Sequence, residues 1–288
     1  METKYILIEN ALEAWAVAIQ YGDMIAKGLA TLQNKKLFIS SLHNAVELFL
    51  KQILINQGNH KVVDIRKIST VDDAELCLRY MQATDLNQFF NSLAKEDMDK
   101  FRSMEFSQLI EKPQQKYNLN MNVTSFTSAM KILQSLRNNE THFMISSSDY
   151  LSDDEFKDLY NFMIVFYSEL MQKDLMPYRK GFAFANDERF DFSRTPLQNF
   201  SYLDSLKNNP DANVIADYLN NSKKPVVSFN TYVIACECYS SLPVFHGRFD
   251  EVWAIICMME TYKTIEYIGD QYNQYIRCHL FVSREKTV

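Results

Sequence analysis

Ser152-Asp153-Asp154-Glu155-Phe156-Lys157-Asp158-Leu159-Tyr160-Asn161-Phe162-Met163-Ile164-Val165-Phe166 decides the fold class of this chain. Serine at the cap with glutamate three residues later forms a capping-box pattern, in which each side chain satisfies a backbone N–H that the first helical turn leaves open. Phe156, Leu159, Met163, Phe166 and Leu170 then repeat at near-heptad spacing and define one apolar helix face, which Pro177 and Gly181 close. Three more segments upstream carry the same signature. Phe126, Met130, Leu133 and Leu136 line a helix from about Thr124 to Arg137. Phe38, Leu42, Ala45, Phe49 and Ile53 make a stripe through residues 35–56, with Gly58 as its stop. Leu12, Trp15 and Ile19 mark a helix through residues 9–33, and the short gap between these two predicts an antiparallel hairpin. Four long helices with such faces predict a mainly α fold built on a four-helix bundle.

Two stretches depart from this pattern. Residues 59–121 read as an insertion of short helices. Val71 to Phe90 and Lys95 to Ile110 have helical composition, whereas Pro113 and a Gln/Asn run interrupt it. Residues 178–209 are polar and mixed, with Phe182, Phe184, Phe190, Phe192 and Phe200 scattered through them, and read as a linker packed along the surface. After Pro210 a compact α+β pattern follows: helical stretches at Val214–Leu219, Phe229–Tyr239 and Asp250–Tyr262, then strands at Thr264–Ile268 and Tyr275–Val282 around Gly269-Asp270. Three helices and a hairpin is the order of a winged helix, shared by many small α+β domains. The expected organisation is a bundle over 1–177 carrying the 59–121 insertion, a linker over 178–209, and a small α+β, winged-helix-like domain over 210–288.

Composition narrows the function classes. The 288 residues carry a net charge of −6, so no global basic field draws in nucleic acid, and RNA binding needs a local patch. From Tyr178 onward 12 Lys/Arg face 13 Asp/Glu, which weakens DNA binding by the C-terminal module and favours a protein partner. The sequence shows neither a secretory signal nor a run of about 18 apolar residues, so no membrane association is expected. Five scattered cysteines suit a reducing cytoplasm. Cys236-Glu237-Cys238 with Cys278-His279 has no spacing that matches a zinc pattern; buried thiols are the better reading, and no metal or cofactor is expected.

The chemistry concentrates in Arg137-Asn138-Asn139-Glu140-Thr141-His142, between the third and fourth bundle helices. Arginine offers a planar fork of donors to phosphate oxygens. Histidine exchanges a proton near neutral pH. An Arg/His pair at this spacing arises by chance roughly half a time in such a chain, so its setting carries the reading. That setting resembles the R-x4-6-H signature of HEPN-type ribonucleases: the pair ends the third helix, Asn138 follows the arginine as in many HEPN sequences, and Ala45-Val46-Glu47-Leu48-Phe49-Leu50-Lys51 is similar to the acidic-then-lysine pattern of a HEPN helix. The resemblance covers about residues 9–175, apart from the insertion. Some HEPN toxins carry a tyrosine two positions after the histidine; here that residue is Met144, which departs from regulation by tyrosine modification.

The resemblance implies a metal-independent endoribonuclease of a toxin–antitoxin, phage-defence or CRISPR-associated system, acting as a homodimer, with RNA as substrate and an antitoxin or defence-system partner. Arg137, His142 and Asn138 would be its catalytic residues. Residues five apart on a regular helix are offset by roughly 140°, so Arg137 and His142 converge only if the helix breaks at Asn138-Asn139 or two copies meet across a twofold axis. The phenylalanine stripe of the fourth helix is a plausible supporting surface for that pairing. His43 and Glu47, neighbours at i, i+4, are supporting candidates, although such a pair more often satisfies a half-buried histidine. Without catalysis, Arg137 suits a helix C-terminus through the helix dipole, and His142 caps that end or fills a core gap. The alternative is therefore a non-catalytic HEPN-like interaction or regulatory protein.

Overall fold

A computed structural model describes residues 5–65, 68–112, 114–140, 150–176, 188–222, 230–269 and 274–280. Among them the protein is mainly helical, with twelve α-helices and four short strands. In chain order these are α1 (Ile8–Ala26), α2 (Leu32–Asn56), β1 (Val63–Ile65), α3 (Val71–Gln82), α4 (Leu86–Asn91), α5 (Lys95–Met98), β2 (Phe101–Ser103), α6 (Phe106–Ile110), α7 (Val123–Glu140), α8 (Asp153–Gln172), α9 (Tyr202–Lys207), α10 (Pro210–Asn221), α11 (Thr231–Ser241), α12 (Phe249–Thr261), β3 (Ile265–Gly269) and β4 (Gln274–Cys278). None of the described helices is long and apolar enough to cross a membrane. Pro113, Pro177, Gly181, Phe182, Phe184, Phe229, Asp270 and Val282 lie outside the described residues.

The chain divides into two compact units that do not follow chain order. One comprises Met1–Ile19, Phe38–Met144 and Asp158–Pro196; the other comprises Gln20–Leu37, Ile145–Lys157 and Leu197–Val288. The boundaries expected at 177 and 210 differ from these because the chain passes between the units within α1, α2 and α8, where a linear reading sees only unbroken helices.

In the first unit the four long helices share an aromatic core. Trp15 of α1 is fully buried, edge-on to Phe49 of α2 at 6.2 Å and stacked on Tyr167 of α8 at 6.5 Å. Phe126 of α7 meets Phe162 of α8 at 6.3 Å. The segment read as a linker joins this core: Phe190 and Phe192 are fully buried, and the Trp15 indole donates to the Phe190 carbonyl at 3.1 Å. Irregularly spaced aromatics have no helical or strand period, so their burial left no trace in the pattern.

The insertion has more structure than short helices. β1 and β2 pair antiparallel, with Val63 opposite Ser103 and Ile65 opposite Phe101. Tyr80, Phe90 and Phe101 cluster with centroids 5.3–5.7 Å apart. A polar seam docks the insertion on α2: the Gln52 amide, fully buried, donates to Asn87 Oδ1 at 2.7 Å and to Asn56 Oδ1 at 2.8 Å. Such buried polar groups persist because each finds a partner.

In the second unit, Asn209 caps α10 with Pro210 in its first turn. β3 and β4 pair antiparallel from Ile265 opposite Cys278 to Gly269 opposite Gln274. Asn220 of α10 clamps β4 by donating to the Cys278 carbonyl and accepting from its N–H, at 3.1 and 2.9 Å. α1 stops at Ala26 rather than near residue 33 because Gly28 adopts φ +91° and closes a Schellman-type end, with Leu29 N–H bonded to Met24 O and Gly28 N–H to Ile25 O.

Candidate functional site

Asn122 caps α7, accepting from the Ser125 N–H at 3.1 Å. The apolar face then runs through Phe126, Met130, Leu133 and Leu136, all buried. Arg137 and Asn138 follow on the exposed side, in the last turn. A cation is favoured there by the helix dipole.

The helix does not break at Asn138-Asn139. α7 continues to Glu140, so helical geometry persists three residues beyond Arg137. Asparagine's weak helix propensity costs only a fraction of a kcal/mol in a final turn, too little against the packed turns before it. His142, like Met144, lies outside the described residues. α8 begins as its sequence requires: the Glu155 N–H donates to Ser152 Oγ at 3.3 Å, while the Ser152 N–H donates to the Glu155 carboxylate at 2.9 Å.

His43 and Glu47 do meet, with Nδ1 3.8 Å from Oε2. Their surroundings give the pair a structural duty. The His43 ring lies 4.0 Å from the Phe106 ring of α6. Glu47 accepts from Lys51 Nζ at 2.5 Å, and that ammonium, almost fully buried, also donates to Ser103 Oγ of β2 at 2.9 Å. The acidic-then-lysine pattern of α2 thus anchors the insertion. Ser103 carried no signal in the sequence, because its strand has only three residues.

The α8 stripe expected to support dimerisation is consumed within the chain: Phe156, Met163, Phe166 and Leu170 are all fully buried. Among the described residues of α7 and α8, the exposed large apolar side chains are Val123 and Val165, 51% and 43% exposed.

The cysteines behave as buried thiols where their environment is closed. Burial pushes the Cys238 thiol up to about 12, and it raises the Cys278 thiol as well. His279 faces Glu266 across the hairpin at 2.7 Å. Among the described residues, no group of three or more His, Cys, Asp or Glu side chains is arranged to hold a metal ion.

Comparison with protein-family models, curated proteins and solved structures finds no match to this chain.

Proposed function

We propose that the protein is an endoribonuclease of HEPN type that cleaves RNA without a metal ion, acting as a cytoplasmic homodimer. The observation that carries this reading is the placement of Arg137 and Asn138 on the exposed last turn of α7, immediately before the segment that holds His142 and the capped start of α8. The aromatic core shared by α1, α2, α7 and α8 is compatible with a HEPN-like bundle.

In this mechanism His142 takes the proton of an RNA 2′-hydroxyl, whose oxygen attacks the adjacent phosphorus. Arg137 stabilises the charge that builds on the phosphoryl oxygens. The 5′-oxygen leaves with a proton supplied by the protonated histidine of the same or the facing copy. Asn138 orients the arginine. DNA, lacking the 2′-hydroxyl, resists cleavage. With the α8 stripe buried, pairing falls to the outward side of α7 and α8. An antitoxin or defence-system partner would restrain the activity. Cleavage assays on Arg137→Ala and His142→Ala test this: each is expected to lose roughly 10²–10⁴-fold, and a folded variant cleaving at the wild-type rate would exclude that residue from the chemistry.

A second reading is a non-catalytic interaction protein. Val71, Leu78 and Met81 are 83%, 62% and 61% exposed on α3, a surface suited to an apolar protein partner. The order α10–α11–α12–β3–β4 is that of a winged helix, and its near-neutral charge favours protein over DNA. Folded wild-type protein that leaves single-stranded RNA intact would favour this reading.

A further inference from the structure

The second unit holds a cavity of about 640 Å³ between the end of α1, the start of α2 and one side of α12. That volume falls within the ~300–1,000 Å³ of small-molecule sites. Its wall sorts by polarity. Ala30, Ala254 and Met258 are buried and form an apolar floor. Gln33, Asp250 and Thr261 are exposed and form the rim. Between floor and rim stand three partly exposed aromatic side chains, Tyr21 of α1, Trp253 of α12 and Tyr262 at the end of α12. Outside the wall, the Tyr232 ring of α11 meets Trp253 edge-on at 5.5 Å and fixes its orientation.

The charge around the cavity is acidic. Among the described residues of the wall, Asp250 is the one carboxylate and Lys35 the one lysine or arginine. The Lys35 ammonium is committed elsewhere: it donates to the Leu151 carbonyl at 3.1 Å and lies 4.0 Å over the Tyr202 ring, and neither residue lines the cavity. It also faces Asp153 and Glu155 in the first turn of α8, so its charge is already balanced. Asp250 then stands as excess negative charge. The field of Asp153 reaches the wall as well, since burial and that carboxylate together push the Tyr262 phenol up to about 12.

Aromatic faces beside a carboxylate attract a cation, through the ring quadrupoles and through its charge. The floor narrows the choice of cation. Alanine and methionine side chains offer no strong acceptor, so a primary ammonium entering here would lose water without replacement. Methyl groups on the nitrogen remove that penalty and pack against the floor.

We propose that this cavity binds a small organic cation with a trimethylammonium head, placed against Trp253, Tyr21 and Tyr262 with Asp250 as its counter-charge. The site is independent of the ribonuclease reading, and its test involves no RNA cleavage.

Trp15 and Trp253 are the two tryptophans, and Trp15 is fully buried in the core of the other unit, so ligand-induced fluorescence change reports on Trp253. The full chain is titrated at pH 7 with choline and with Nε-trimethyllysine, two sources of the same head. Two controls separate its properties: 3,3-dimethylbutan-1-ol has the shape of choline without the charge, and ethanolamine has the charge without the methyl groups. Choline or trimethyllysine is expected to saturate the signal, and the tighter of the two names the source. Choline should bind at least ten-fold more tightly than either control. Asp250→Asn should weaken choline several-fold and leave the uncharged alcohol unchanged. Trp253→Leu, followed by calorimetry, should weaken choline at least ten-fold. No saturation by choline or trimethyllysine up to millimolar concentration overturns the proposal. So does either control binding as tightly as choline, a comparison that uses wild-type protein and stands even if a variant misfolds.

Discussion

Lys35 offers a quantitative test of the second unit. Its ammonium falls from 10.5 to about 8 on folding because it leaves water for a site in which Asp153 and Glu155 restore only part of the lost solvation. Between pH 8 and 10.5 the unfolded chain holds a proton that the folded chain has released. Raising pH through this window therefore favours the folded state, by about 3 kcal/mol in all at ~1.4 kcal/mol per pKa unit. Tyr202 and Tyr262 act in the opposite sense above pH 10, since burial raises both phenols and the unfolded tyrosines ionise first. Subtracting the profile of Lys35→Met isolates the lysine. In that variant the Leu151 carbonyl keeps its bond from the Tyr202 hydroxyl at 2.9 Å, so no acceptor is orphaned. At pH 7 the variant should be more stable than wild type by about 1–2 kcal/mol, the relieved desolvation exceeding the lost hydrogen bond and cation–ring contact. Urea denaturation at half-unit steps from pH 7 to 10 reads the difference. It should shrink as pH rises and reverse in sign near the top of the range. A difference independent of pH, or a variant less stable than wild type at pH 7, would refute the account of Lys35 as a charge held against its solvation.

Three further outcomes follow from packing and assembly. Gly28→Ala should cost about 2 kcal/mol or more by thermal or chemical denaturation, because φ is +91° and the new Cβ would lie 2.6 Å from the Leu206 backbone; a neutral effect would refute that close approach. Trp15→Ala should lose about 3–5 kcal/mol, since a fully buried indole bonded to the Phe190 carbonyl leaves a large void, and a loss under 1 kcal/mol would contradict the central place given to that ring. Sedimentation at micromolar concentration should show a twofold dimer, and a strict monomer that cleaves RNA at full rate would rule out a composite site.

The parts of the fold legible in the sequence are those where local signals agree. The Ser152/Glu155 box and the phenylalanine stripe placed α8, Gly58 ended α2, and α10, α11, α12 and the β3–β4 hairpin fell close to their expected segments. What escaped depends on distant partners. β1 and β2 are three residues each, too short for alternation to show, and they exist because Val63 finds Ser103 forty residues away in the chain. Phe190 and Phe192 lacked a period, yet the Trp15 indole of α1 donates to the Phe190 carbonyl and its ring meets Phe192 edge-on at 6.0 Å. Lys35 resembled an ordinary lysine at a helix start, where sequence gives no sign of burial. At the candidate site, the sequence marked Arg137 and paired His43 with Glu47, but the use of Glu47 and Lys51 to hold Ser103 required the folded insertion.

The central claim is metal-independent cleavage of RNA by the Arg137/His142 pair, and end-group analysis tests it most directly. The purified protein is incubated in EDTA with single-stranded RNA and with DNA of the same sequence. The account predicts RNA fragments ending in a 2′,3′-cyclic phosphate, with the DNA intact. Cleavage that vanishes in EDTA and returns with a divalent ion, or products bearing 3′-hydroxyl ends, would contradict it.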